Sequence, residues 1–290
     1  SNVGTLTNQG IELEVGYKLS VDKVNLSFLA NASYVKNEIK NLGNQTGYID
    51  KESLPTLGTV SRNQNGYPIG YFFGYKAIGV FQTQEEIDNY ISPATGKPIQ
   101  PNAVPGDTKF EDLNGDGVIS DDNEDRTMIG KPNPDWMVGL TVAADWNGFD
   151  LSAFFQGSFG ADVFDALRRY ELAAVNYTSD ALERWTGPGT SNSMPRIVLG
   201  DTPKNFRPST LLVHDASFLR LRNLQVGYTL PAQLTRKAYI QRLRFYASFD
   251  NLLTITGYKG MDPEIGSTMG IDKGVYPQAR VYTFGLNLTF

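Results

Sequence analysis

The sequence has no cysteine and one histidine in 290 residues. The first absence excludes a disulfide framework and thiolate metal sites, and it fits a reducing compartment and a cysteine-free exported protein equally. The second leaves poor material for a transition-metal centre or a nucleophile–imidazole triad, so His214 reads as an ordinary loop residue. No apolar run reaches the ~18 residues of a membrane-spanning helix. A basic excess is also missing: 26 Lys and Arg stand against 31 Asp and Glu, a net charge of -5, which argues against a nucleic-acid partner. The chain opens on Ser1-Asn2-Val3-Gly4, with neither an initiator Met nor a secretion signal, which points to a processed or partial chain.

What the sequence does have is apolar content, glycine and a period of two. Hydrophobic residues make up 40%, ample for a core. Glycine is 29 of 290, above the roughly 7% of average usage. Ile11, Leu13, Val15, Tyr17, Leu19 and Val21 alternate with Glu12, Glu14, Gly16, Lys18 and Ser20, the pattern of a strand with one apolar and one polar face. After Asp22-Lys23 the apolar row resumes as Val24, Leu26, Phe28, Ala30, Ala32 and Tyr34. Val138, Leu140, Val142, Ala144 and Trp146 form a third row. Asn147-Gly148, a strong hairpin turn, leads to a fourth of Phe149, Leu151, Ala153, Phe155, Gly157 and Phe159. Further rows are Leu224, Val226, Tyr228 and Leu230, stopped by Pro231, then Leu243, Phe245, Ala247 and Phe249, and finally Tyr282, Phe284, Leu286, Leu288 and Phe290.

Several of these seven strands reach the ~9–11 residues that cross a bilayer when tilted. The connections alternate in length: Asp22-Lys23, Asn147-Gly148 and residues 231–240 are short, whereas 36–135, 161–214 and 256–275 are long. Short periplasmic turns and long extracellular loops mark a transmembrane antiparallel β-barrel, and Trp146, Phe149, Tyr228 and Phe290 stand where an interfacial girdle is needed. A soluble β-sandwich also alternates and is the competing all-β reading. Seven is an odd count, while single-chain bacterial barrels have even ones. If Phe290 ends on the periplasmic side, the first strand starts at the extracellular end. The chain then reads as the C-terminal part of a barrel, with its missing strands supplied by an N-terminal part of the same protein, because open edges are not viable in lipid.

One loop carries candidate metal chemistry. Asp112-x-Asn114-x-Asp116-Gly117-x-Ile119 matches the first half of an EF-hand loop, with alternate side chains and the Val118 carbonyl as hard oxygen ligands for calcium. Asn123 stands where the bidentate Glu belongs, and Glu124 follows it, with Asp121, Asp122 and Asp125 nearby. Structural calcium on Asp112, Asn114, Asp116, Val118 and Glu124 is one reading, and an Asx-rich turn without metal is the other. Thr83-Gln84-Glu85-Glu86 is a capping box that predicts a short helix through Ile91. Val163–Val175 and Ser179–Trp185 also read as short helices. Phe164, Arg168, Arg169, Tyr170 and Trp185 there offer contacts to sugar rings or to a lid from another protein, or pack within the loop. Arg220 and Arg222 share a face that turns apolar from Leu224, which predicts a place above the bilayer. Arg242 and Arg244 point into the lumen near the periplasmic rim, with Glu12 and Glu14, or carboxylates of a domain filling the lumen, as candidate partners.

Several segments, in order, resemble SusC/RagA-type TonB-linked outer-membrane transporters. They include Asn8-Gln9-Gly10-Ile11-Glu12-Leu13, Gly70-Tyr71-Phe72-Phe73-Gly74-Tyr75 with Gly79-Val80-Phe81-Gln82-Thr83, and Pro105-Gly106-Asp107 through Asp112-Leu113-Asn114-Gly115-Asp116-Gly117. Arg126-Thr127-Met128-Ile129-Gly130-Lys131-Pro132-Asn133-Pro134 and Asp215-Ala216-Ser217-Phe218-Leu219-Arg220-Leu221-Arg222-Asn223 with Gly227-Tyr228-Thr229-Leu230-Pro231 continue the series. Asn251-Leu252-Leu253 with Tyr258-Lys259-Gly260-Met261-Asp262-Pro263-Glu264 and the last strand complete it. The resemblance covers nearly the whole chain. It implies the C-terminal wall of a barrel that has 22 strands in this family, long loops outside a Gram-negative outer membrane and a periplasmic C-terminus. It further implies a lumenal plug coupled to the TonB system and absent from these residues, a SusD-like surface lipoprotein as partner, and import of oligosaccharides, peptides or similar nutrients without catalysis. A SusC-like scaffold subunit of a larger assembly and a secreted, calcium-stabilised, glycan-binding β-sandwich are the alternatives. Asp262 and Glu264, which as two carboxylates could suggest acid–base work, read in this pattern as a loop anchor beside Pro263. Tyr282, Phe284, Leu286, Leu288 and Phe290 resemble the terminal signal by which assembly machinery recognises an outer-membrane barrel.

Overall fold

A computed structural model describes residues 4–121, 124–173, 175–265 and 269–290. Seven long strands form one antiparallel sheet in chain order: β1 Thr5–Val21, β2 Val24–Asn41, β3 Trp136–Trp146, β4 Phe149–Phe159, β5 Phe218–Thr229, β6 Arg242–Thr256 and β7 Val281–Thr289. β2 continues six residues beyond the loop start expected at residue 36. The short turns have the backbone their residues favour, with positive φ at Asp22 (52°), Asn147 (46°) and Gly148 (88°). A side chain at position 148 would meet the Thr229 carbonyl oxygen at 2.7 Å, so the turn also needs glycine for close approach.

The apolar rows fall into a single register. Ile11 lies opposite Tyr34, Tyr34 opposite Trp136 and Trp136 opposite Phe159. Further down, Ala153 lies opposite Leu224, Leu224 opposite Phe249 and Phe249 opposite Tyr282. Every row therefore belongs to the same face of the sheet. That face is bare: Ile11 is 75% exposed and Phe284 76%. A sandwich would bury it under a second sheet, so the sandwich reading is corrected here. The sheet is the wall of a transmembrane barrel and turns its apolar side to lipid; it is not closed within this chain.

Aromatic belts bound the apolar band. At the turn end, the Trp146 and Phe149 rings lie 6.2 Å apart and those of Phe149 and Tyr228 4.4 Å apart. At the other end, Tyr34 and Trp136 are 5.0 Å apart, with Phe159 paired to Trp136. Trp136 and Trp146 are ten residues apart, ~33 Å along a strand. A tilt of about 40° reduces this to a height of ~25 Å, that of an outer-membrane apolar band. The upper belt was not anticipated from the sequence.

A β-bulge interrupts β5. Phe154 pairs with Asn223 and Phe155 with Leu221, which leaves Arg222 as the extra residue. Alternation slips there by one. Leu219 and Leu221 face outward before the bulge, and Leu224, Val226 and Tyr228 after it. Arg220 and Arg222 consequently share the inner face, within the height of the wall. The expectation that they stand above the bilayer took the slip for a change of surroundings.

The three long insertions pack into one cap at the upper end. The first contains a four-stranded sheet of Tyr48–Asp50, Ser61–Gln64, Tyr71–Tyr75 and Arg126–Gly130. Leu54, Val60 and Phe72 from this insertion, Phe164, Ala166 and Leu212 from the second and Ile271 from the third form a shared core. The sheet wall has its apolar side in lipid, so the water-excluding core sits in the cap. Helix α1, Gln84–Asp88, begins as the capping box predicts, with Thr83 Oγ1 accepting from the Glu86 amide, and stops three residues short of Ile91. The helix expected over Val163–Val175 is not formed in its first part. Asp162–Asp165 is a strand between Val213–Asp215 and Ile271–Asp272, because partners distant in sequence supply its hydrogen bonds. Ser179–Glu183 is a single 3-10 helix.

Candidate functional site

The inner face of the wall carries the buried charge. Arg220 is 2% exposed. Its Nε donates to Thr254 Oγ1 at 2.9 Å, Nη1 to Glu264 Oε2 at 3.1 Å and Nη2 to Asp262 Oδ1 at 2.5 Å. Arg222 donates to Gln156 Oε1 at 2.6 Å and to both Glu264 oxygens at 2.7 and 2.6 Å. Asp262 also accepts from the backbone amides of Glu264 and Gln278, each at 2.9 Å. Both carboxylates are thus tied down by guanidinium and amide donors, which fits a loop anchor and leaves no free acid or base. Near the other rim Arg244 pairs with Asp150 on β4, not with the expected Glu12 or Glu14. Arg242 is exposed.

The acidic turn brings together only some of its expected ligands. Asn114 Nδ2 donates to Asp116 Oδ2 and Glu124 Oε2, both at 2.9 Å. Asp112 turns to backbone amides instead, accepting from Gly115 at 2.8 Å and Gly117 at 2.9 Å. The Val118 amide donates to Asp116 Oδ1 at 2.8 Å. Asp122 and Asn123 lie outside the described residues. Among the described residues no group of three or more acidic or imidazole side chains is arranged to hold a metal. The residue that seats the turn is Asp125, fully buried, which accepts from the Leu113 amide at 3.1 Å and the Ser120 amide at 3.2 Å. Burial raises its carboxyl above the usual range.

The second insertion uses its aromatics for packing. Phe164 is buried 5.8 Å from Phe72, and Tyr170 is buried 4.9 Å from Phe206. Trp185 Nε1 donates to Gln82 Oε1 at 3.2 Å. Arg168 ties Asp180 (2.7 Å) to Asp165 (3.1 Å), and His214 Nε2 lies 3.6 Å from the same Asp165. Burial raises the Asp165 carboxyl, but the His214 hydrogen bond and the Arg168 charge outweigh it and hold the group below its usual range. Arg169 bonds Glu171 and the Pro55 carbonyl of the first insertion, at 2.7 Å for the latter. Sequence reasoning missed the apolar side chains this loop leaves bare: Tyr177, Leu182 and Leu199, around a cleft of about 530 Å³.

No protein-family model matches the chain. Over its whole length the chain is 32% identical to TonB-dependent receptor P3 of Formosa agariphila and 30% identical to TonB-dependent receptor SusC of Bacteroides thetaiotaomicron. The chain belongs to the SusC/RagA-type TonB-dependent receptors. It spans 29% of the first of these relatives and 27% of the second. A solved structure of the RagAB peptide transporter superposes with a TM-score of 0.76 at 27% identity, covering 100% of this chain and 30% of that one. SusC/RagA-type receptors are outer-membrane transporters, not enzymes. Within this SusC/RagA-type chain the resembling motifs have structural work. Tyr71–Tyr75 is a fully buried cap strand, and Asn251, with φ of 53°, forms the β6 side of the Arg222 bulge.

Proposed function

We propose that this chain is a stretch of barrel wall and extracellular cap in an importer of peptides, oligosaccharides or similar nutrients. The observation that carries the reading is the single cap, built from three insertions at one end of a lipid-facing wall and tied to the inner face through Arg220 and Arg222. In this arrangement the cap is extracellular, and the short turns and Phe290 are periplasmic. A plug elsewhere in the receptor couples to TonB, and the rest of the same receptor supplies the strands that pair with β1 and β7. A SusD-like surface lipoprotein is the partner outside, and the bare Tyr177, Leu182 and Leu199 cluster is its candidate contact. Support for cargo and partner comes from the RagAB likeness, that structure being described as a peptide transporter. The experiment is uptake of labelled peptides and oligosaccharides by cells carrying the full receptor, with and without TonB. TonB-dependent uptake of one class fits import. A receptor that assembles with its lipoprotein and takes up neither class would be a scaffold.

Calcium at the acidic turn is a second proposal. Asn114, Asp116 and Glu124 already converge, and turning the Asn114 amide over would present Oδ1 between two carboxylates. Such an ion would neutralise clustered charge and stiffen a turn of the cap.

A further inference from the structure

The turn between β5 and β6 is unlike the other two short turns. Asp22-Lys23 and Asn147-Gly148 reverse the chain in two residues, whereas this one builds helix α2, Ala232–Thr235, and a 3-10 turn, Arg236–Ala238. Apart from the buried Thr235, its side chains do little for the fold. Leu234 is 60% exposed and Tyr239 90%. Tyr239 stands at φ 59°, a left-handed conformation that a bulky side chain disfavours. Arg236 and Lys237 are exposed, and neither side chain has an ion pair among the described residues.

Position supplies the explanation. Tyr228 belongs to the lower aromatic belt, and Pro231 follows three residues later. A tilted strand climbs roughly 2.5 Å per residue, so the turn begins ~8 Å beyond the belt. The headgroup layer is ~5–7 Å thick on each side of the hydrocarbon. The outward rows reach the foot of the turn, where Leu243 pairs with Leu288 and the Leu230 amide bonds the Leu243 carbonyl. The turn therefore starts at the outer edge of the headgroup layer, just below the lipid-facing rows, with two bare apolar side chains and two cations that have no ion pair among the described residues.

We propose that this turn is a membrane-interface anchor for anionic phospholipid. Arg236 and Lys237 bind headgroup phosphates, while Leu234 and Tyr239 lie against the headgroup layer from its water side. Charge complementarity and continuity with the wall select lipid as the occupant. An amphipathic Tyr is suited to a headgroup surface, which accounts for an aromatic left exposed there. The proposal rests on the lipid-facing wall and not on the identity of any cargo.

The test uses the full receptor in phospholipid nanodiscs. A nitroxide is attached at Tyr239→Cys, the only cysteine this chain would then contain, and a control label at Tyr276→Cys, an exposed cap site. The Tyr239 label is expected to be protected from a water-soluble paramagnetic nickel chelate relative to the control. Equal access would overturn the anchor, and protection that needs a co-purifying protein would assign the turn to that protein instead. Arg236→Gln with Lys237→Gln should leave the fold intact. The ratio of phosphatidylglycerol to phosphatidylcholine retained from mixed membranes, read by native mass spectrometry, is expected to fall roughly fivefold for each charge removed. An unchanged ratio would overturn the phosphate assignment.

Discussion

Arg244 reaches across β5 to Asp150, with Nε to Oδ1 at 2.9 Å and Nη2 to Oδ2 at 2.5 Å. The strand between them carries Gly227 at the crossing point, where a Cβ would meet Arg244 Nη2 at 2.4 Å and Asp150 Oδ1 at 2.5 Å. Three wall strands are thus cross-tied through a position that only glycine leaves open. Gly227→Val is expected to break the pair and to lower barrel stability by about 1–3 kcal/mol. A double-mutant cycle of Arg244→Gln and Asp150→Asn should return a coupling of about 1 kcal/mol, since the pair is partly exposed on the inner face. Heat-dependent gel mobility of the full receptor measures both, and independent effects of the two substitutions would show that the pair adds nothing.

Arg220 to Asp262 is the costlier contact to break. Both side chains are at least nine-tenths buried, so Arg220→Met leaves a carboxylate without its cation. The expected loss is about 3–5 kcal/mol. It should appear first as faster hydrogen exchange and protease cleavage across residues 257–280, before the wall unfolds. Uniform destabilisation with no local excess in that loop would argue against an anchoring role.

The wall was legible and the cap mostly was not, for a physical reason. A lipid-facing sheet writes its burial into the sequence as strict alternation, so Ile11 through Val21 and Tyr282 through Phe290 could be assigned without knowing their neighbours. A bulge defeats the same rule: nothing local distinguishes the slip at Arg222 from a strand leaving the membrane. The Arg244–Asp150 tie depends on strand order and register together, and Gly227 between them looked like any strand glycine. In the cap, residues 162–165 become a strand only because His214 and Ile271 arrive beside them. Local pattern has no access to such partners, and it was equally silent on Leu182 and Leu199, whose exposure is a property of the finished surface.

Asp201 should give the cap a pH dependence. Burial pushes its carboxyl up to about 6, against hydrogen bonds from the Phe206 and Asn205 amides that pull the other way. The folded cap holds this proton more tightly than the unfolded chain. The group's contribution is therefore fully present below pH ~4, lost as pH rises through about 6 and constant above that. The swing is at most roughly 3 kcal/mol. Exchange of the Asn205 and Phe206 amides should accelerate between those limits, and Asp201→Asn should flatten the profile. A wild-type profile that is already flat there would remove Asp201 as the titrating group.

Calcium can be tested on the same cap without any transport assay. If the ion sits among Asn114, Asp116 and Glu124, chelation should increase protease cleavage between residues 112 and 125, and added calcium should reverse it. Asp116→Asn with Glu124→Gln should abolish the difference between the two conditions. Cleavage that ignores chelator leaves the turn closed by the Asp112 and Asp116 hydrogen bonds to its own backbone.

The last strand makes the final prediction. Tyr282, Phe284, Leu286 and Leu288 are exposed on the outer face of β7, and Phe290 follows them, also exposed. Phe290 lies beyond the last residue of β7, so its removal costs the sheet no ladder hydrogen bond. A purely structural role therefore predicts an assembled receptor of nearly unchanged melting temperature and abundance. A role in recognition by the assembly machinery predicts a different split: much less receptor in the outer membrane, with normal stability in whatever fraction assembles. Deletion of Phe290 followed by surface labelling and melting of the recovered receptor separates the two. Under the recognition role, replacement by Trp, which keeps a terminal aromatic, should restore abundance where Ala does not, because the cue is then the aromatic ring and not the backbone.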